Sequence, residues 1–222
     1  MHGLINRAVQ CFVLDTYGPQ RWHVASQRLG LGPEGFEPML KYDDSVTNGL
    51  LTTVSALLER SEAVLLEDLG TYLVSHETTR AVRRLLRFSG EDFVDFLYAL
   101  EDLPSRARLA VPDLTIPDLE LREEVGGRFR LFVIATEAGW AYVMLGLLRA
   151  MADDYGALVV IEMGASSSSV MVIDIRLLDD DFAQGREFSL SRDSVTRRGS
   201  DASGERAAPT AARPPADRGG AR

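Results

Sequence analysis

The chain is poor in the residues that build disulfides and metal clusters. Cys11 is the single cysteine among 222 residues, and the three histidines are His2, His23 and His76. A lone cysteine can form neither an intrachain disulfide nor a cysteine metal cluster. With so few histidines and no Ser/His/Asp constellation, the sequence does not indicate an enzyme.

Long apolar runs and an excess of basic residues are also lacking. No hydrophobic segment reaches the roughly 20 residues of a transmembrane helix, and the stretch from Met1 to Leu14 lacks the apolar core and cleavage site of a signal peptide. The formal net charge is −9, and Lys41 is the only lysine. We therefore expect a cytoplasmic protein with no membrane span and no nucleic-acid footprint.

The end of the chain differs in composition from the rest. Residues 191–222 are rich in Arg, Ser, Ala, Pro and Gly, contain no aromatic residue, and carry seven arginines against four acidic residues. Such a segment cannot bury enough apolar surface to offset the entropy of ordering. We predict a disordered basic tail after a globular domain over residues 1–185.

Apolar residues recur at helical spacing in the first half of the chain and alternate in much of the second. The spacing predicts helices over about 3–17, 20–29, 44–59, 61–73, 79–88, 91–103 and 139–155. Alternation predicts strands at 118–123, 128–135, 157–163 and 170–177, with Gly126-Gly127 as a hairpin turn. The pattern predicts an α+β fold with a helical part over about 1–103 and an α/β part over about 117–178, in which an antiparallel sheet carries a helix on one face.

Several motifs resemble those of a known family. They are the opening Met1–Trp22, Tyr42-Asp43-Asp44, Glu67-Asp68-Leu69-Gly70, Leu85-Leu86-Arg87-Phe88 and Phe93–Leu97. These stretches resemble the haem-nitric oxide/oxygen binding (H-NOX) family of gas sensors. The resemblance implies an H-NOX fold over residues 1–185, in which a helical subdomain precedes a four-stranded antiparallel sheet with a packed helix.

The positions that hold haem in that family carry other residues here. The resemblance places the family's iron-binding histidine at Pro104, which has no side-chain donor atom. The family's Tyr-x-Ser-x-Arg motif, which binds the haem propionates, falls on Val133, Ala135 and Glu137. Glu137 reverses the charge of the clamp, so that carboxylate would face carboxylate. Haem held in the family's usual way is therefore not expected.

Two other residues near the implied haem site have alternative interpretations. His76 is the best candidate for a substitute iron ligand, although a surface histidine at the beginning of a loop explains it more simply. Pro117 either packs against a haem, as a proline does in the family, or begins a strand.

We expect a large apolar pocket where the family holds its cofactor. The predicted lining residues are Leu4, Ile5, Leu73, Leu100, Pro117, Leu119, Val133 and Met144. The first functional hypothesis is a regulatory sensor that binds an apolar molecule such as a fatty acyl chain, and the alternative is a haem-based nitric oxide or oxygen sensor with a substitute ligand. By resemblance, the partner is a separate diguanylate cyclase, histidine kinase or chemoreceptor.

Overall fold

The N-terminal half of the chain is helical, as its apolar spacing predicts. In this computed structural model the described residues are 1–188 apart from 33, 89, 136, 138 and 168. The predicted tail, residues 191–222, lies outside the described residues. The first helices are α1 (Gly3–Tyr17), α2 (Pro19–Arg28), α3 (Asp44–Leu58), α4 (Glu62–Ser75) and, after a 3₁₀ turn at Glu77–Thr79, α5 (Arg80–Arg87).

The helix predicted over 91–103 ends at Tyr98, and a further helix that was not predicted begins at Leu103, so here the prediction was wrong. The structure has α6 (Phe93–Tyr98) and a separate α7 (Leu103–Ala110). Pro104 stands in the first turn of α7, where its missing N–H leaves no helical hydrogen bond unmade and its fixed φ suits the helix. Arg106 of α7 reaches back and donates to the carbonyl of Ala99 at 2.9 Å, at the end of α6.

The second half forms the predicted sheet and helix. The strands β1 (Asp118–Glu124), β2 (Arg128–Ile134), β3 (Leu158–Ser166) and β4 (Val170–Asp179) pair antiparallel in the order β1-β2-β4-β3. Gly126 and Gly127 connect β1 to β2, and both have positive φ, as a tight hairpin turn requires. The long helix α8 (Gly139–Tyr155) lies between β2 and β3 in the chain.

Two apolar clusters hold the domain together, and α8 contributes to both. Met144, Leu148 and Met151 of α8 belong to the cluster with the inward side chains of the sheet, such as Leu131 and Ile173. The other cluster lies among α1–α4, with Val143 of α8 at its border. Among the described residues no helix is long and apolar enough to span a membrane.

Candidate functional site

An apolar cavity of about 410 Å³ lies beside α8 in the helical half of the domain. Its walls come from α1, the end of α4, α5, α7, the segment before β1, and α8. This volume falls within the roughly 300–1,000 Å³ typical of small-molecule sites. We call it the apolar cavity.

Most of the residues predicted to line a pocket lie on this cavity. They are Leu4, Ile5, Leu73, Pro117, Leu119 and Met144. Leu100 and Val133 instead lie in the core, fully buried and outside the cavity lining. The cavity adjoins β1 at the edge of the sheet, whereas Val133 lies on β2, between Leu119 of β1 and Met171 of β4.

Sequence reasoning missed the walls contributed by α5 and α7. Val82, Leu85 and Leu86 of α5 line the apolar cavity, as do Ala107 of α7 and Trp140 of α8. These residues look like any apolar helix face in the sequence, so periodicity cannot separate a cavity wall from a core. Arg7 was also missed, although its place on α1 three residues after Leu4 and four before Cys11 was a readable signal.

Pro104 is buried but does not line the apolar cavity. It lies in the first turn of α7, and its neighbour Leu103 is the residue that faces the cavity. The helix predicted over 91–103 would place Pro104 just after its end, whereas the structure places Pro104 at the beginning of a helix. Its pyrrolidine ring offers no donor atom at either place.

A second, polar cavity of about 450 Å³ contains two of the three implied clamp positions. Ala135 and Glu137 line it, and Val133 does not. The amino terminus of Met1 lies there, 2.6 Å from the carboxylate of Asp44. Ile116, Pro117 and Trp140 line both cavities, which therefore adjoin at these three residues.

The three histidines lie outside the apolar cavity. His76 stacks on Tyr72 with ring centroids 4.8 Å apart, and its Nδ1 is 2.9 Å from the Thr78 hydroxyl and 3.6 Å from Asp15. His2 caps α1, where its Nδ1 accepts from the N–H of Leu4 at 3.2 Å. His23 is exposed on α2.

Two lining residues, Cys11 and Tyr72, carry atoms that could ligate a metal. The Tyr72 hydroxyl donates to the Asp15 carboxylate at 2.6 Å. Burial and then this hydrogen bond raise the pKa of Tyr72 to about 12. The phenol is therefore held protonated, which opposes its use as an anionic ligand.

A family model described as haem-NO-binding matches residues 2–163 of the chain. The chain belongs to the H-NOX family. An H-NOX domain is a sensor domain and is not itself catalytic, in agreement with the absence of an enzyme signature in the sequence.

The soluble guanylate cyclases that this chain resembles are distant in sequence and much longer than this chain. Soluble guanylate cyclase gcy-31 of Caenorhabditis elegans is 22% identical over 164 residues, which are 73% of this chain and 23% of that protein. Soluble guanylate cyclase 89Db of Drosophila melanogaster is 19% identical over 155 residues, 70% of this chain and 23% of that protein. The H-NOX chain thus spans about a quarter of the length of these relatives.

Solved H-NOX structures share the fold. An H-NOX protein from S. oneidensis superimposes with a TM-score of 0.70 at 14% identity, covering 82% of this chain and 98% of that one. A point variant of the T. tengcongensis H-NOX protein gives a TM-score of 0.67 at 16% identity, covering 82% and 100%. At these identities the likeness establishes the α+β architecture.

The donor set of this H-NOX domain does not fit haem ligation by histidine. No histidine lines the apolar cavity, and the described residues contain no group of three or more His, Cys, Asp or Glu arranged to hold a metal ion. In the adjoining polar cavity Asp44 is paired with the Met1 amino terminus and Asp113 with Lys41, and Glu137 and Asp118 add two further carboxylates. Those carboxylates would repel haem propionates rather than bind them.

Proposed function

We propose that this H-NOX domain is a regulatory sensor that binds an apolar small molecule in the apolar cavity, without haem held in the family's usual way. The observation that carries the proposal is the lining itself, which is almost wholly apolar and contains no histidine. Burial of a hydrocarbon against such walls is favourable by about 25 cal/mol for each Å² of apolar surface removed from water.

The size of the apolar cavity supports a ligand. The cavity has a volume of about 410 Å³ and opens to solvent, so its apolar walls face water when no ligand is bound. Water is a poor filler here, because ordered water needs two or more polar partners. An apolar ligand would remove the apolar wall surface from water, and its binding would stabilise the fold by mass action.

The output of the sensor is proposed to act on a separate signalling enzyme or receptor in the cytoplasm. A diguanylate cyclase, a histidine kinase or a chemoreceptor is the kind of effector that the family resemblance suggests. The guanylate cyclases to which this chain is similar carry the matching region in about a quarter of their length. Control of a catalytic partner by this domain is therefore part of the proposal.

Two titrations of the purified full chain test the proposal. Hemin is added to one sample, and we expect no stoichiometric Soret band of a ferrous histidine complex after reduction. The neutral fluorophore 1-aminoanthracene is added to another, and we expect saturable binding. Ala8→Phe, which places a ring in the cavity, should reduce that binding. A stoichiometric five-coordinate ferrous-histidine spectrum, or no fluorophore binding, contradicts the proposal.

The alternative is a haem-based nitric oxide or oxygen sensor with a substitute ligand. The observation that favours it is the position of Cys11, whose side chain lines the apolar cavity. His76, the candidate chosen from the sequence, lies outside that lining. If hemin binds, Cys11→Ser should remove a thiolate-type spectrum and His76→Ala should leave it unchanged. The opposite pattern would restore His76 as the ligand.

A further inference from the structure

Arg7 is the charged residue among the residues that line the apolar cavity. It projects from the same face of α1 as Leu4, Ile5, Ala8 and Cys11. Leu4 is 37% exposed and Arg7 is half-buried, so this part of the wall borders solvent. A molecule that entered beside α1 would have its tail among apolar side chains and its other end near the Arg7 guanidinium.

The Arg7 guanidinium has no carboxylate partner among the described residues. Its hydrogen bond is a long one, from Nη1 to the carbonyl oxygen of Glu34 at 3.3 Å. A guanidinium carries several further N–H donors in a planar fork that matches a carboxylate. An arginine with no carboxylate partner in the described part of the chain is notable at a net charge of −9.

The hydroxyl groups of the lining are already hydrogen-bonded to neighbouring groups. The Tyr72 hydroxyl donates to Asp15, and the Thr79 hydroxyl donates to the Tyr72 carbonyl at 3.1 Å. The Thr78 hydroxyl lies 2.9 Å from Nδ1 of His76 and 3.3 Å from Asp15. An anionic head group is therefore attracted to the positive charge of Arg7 and repelled from the side of Asp15.

We propose that the ligand is a long-chain carboxylic acid, with its hydrocarbon chain in the apolar cavity and its carboxylate on Arg7. This inference rests on the proposed function, since it names the chemical class that the sensor binds. The arginine–carboxylate contact sets the orientation of the ligand, and the chain contributes the burial of apolar surface.

The test compares two ligands that differ only in their head group. Dodecanoate and 1-dodecanol are titrated into the full chain, and binding is followed by displacement of 1-aminoanthracene and by the fluorescence of Trp140, which lines the cavity. We expect dodecanoate to bind at least about tenfold more tightly, since a hydrogen bond to a charged group contributes that much or more. Equal affinity for the two would overturn the assignment.

Variants then locate the head group. Arg7→Met keeps an unbranched side chain and should weaken dodecanoate binding about tenfold to a hundredfold while leaving dodecanol unchanged. The matched control is Arg28→Met, an exposed arginine on α2 that does not line the cavity. It should change neither affinity. If Arg7→Met weakens the binding of both ligands, or leaves both affinities unchanged, the proposed contact is wrong.

The two proposals fail in distinguishable ways. If 1-aminoanthracene and dodecanol bind but dodecanoate is not preferred, the carboxylate inference is wrong and the apolar-ligand function stands. If none of the three binds to the folded wild-type chain, both proposals are wrong.

Discussion

Arg83 and Asp154 form a buried ion pair that joins α5 to the end of α8. The Nε atom of Arg83 lies 2.8 Å from Oδ1 of Asp154, whose carboxylate is fully buried. Arg83 also donates to the carbonyl of Glu187 at 3.1 Å, and the N–H of Arg186 donates to the carbonyl of Asp154 at 2.9 Å. The pair thus ties a wall of the apolar cavity to the segment that follows the sheet.

Arg83→Ala is expected to destabilise the domain by about 3 kcal/mol or more, because it leaves a buried carboxylate without its hydrogen-bonded partner. Arg87 remains near, but its Nε is 3.7 Å from Oδ2 and its guanidinium stacks on Tyr155. Urea unfolding measures the loss. The control is Arg84→Ala at an exposed neighbouring position, which should change stability by no more than about 0.5 kcal/mol. Similar losses in both variants would contradict the role of the pair.

Gly146→Ala is expected to destabilise the domain by about 2 kcal/mol or more, because the added methyl group would collide with backbone where α4 and α8 cross. A Cβ at this position would meet the carbonyl oxygen of Glu67, and one at Gly70 would meet that of Val143. Gly49→Ala in α3 is the matched control, since its nearest neighbour would be Leu29 at 3.7 Å. That change should stabilise the helix by about 0.5–1 kcal/mol. Thermal unfolding of the two variants should shift in opposite directions.

Raising the pH should weaken the fold through Tyr72. The unfolded phenol loses its proton near pH 10, whereas the folded one, with its pKa raised to about 12, keeps it. The contribution to stability is therefore complete below pH 10 and is lost as the pH rises from about 10 to 12. The free energy of unfolding, measured with urea at several pH values in this window, should fall less steeply with pH for Tyr72→Phe than for the wild type. Parallel pH profiles would contradict the assignment.

Removal of residues 191–222 should leave the melting temperature within about 2 °C of the full chain, since the segment has no apolar anchor. These residues lie outside the described part of the chain, so the expectation rests on composition alone. Calorimetry of the chain truncated after Leu190 tests it. A loss of several degrees would show that the tail docks on the domain.

Residue spacing was sufficient to predict most of the elements but not the junction near Pro104. The helices at 3–17 and 139–155 and the hairpin at Gly126-Gly127 could be recognised because a helical face, an alternating strand and a positive-φ turn each leave a local pattern. The junction was mispredicted because a proline is compatible both with the end of one helix and with the first turn of the next, and Pro104 takes the second position. That ambiguity is local, and only the neighbouring backbone hydrogen bonds resolve it.

The sequence by itself determined the α+β class, the family motifs and the loss of a histidine at the implied ligand position. Only the tertiary structure decided that Val133 lies in the core, that His76 lies outside the cavity, and that Arg7 borders it with no carboxylate partner among the described residues. The reason is physical. Periodicity tells which face of an element is apolar, whereas the contacts among distant elements decide whether that face meets a core, a cavity or solvent.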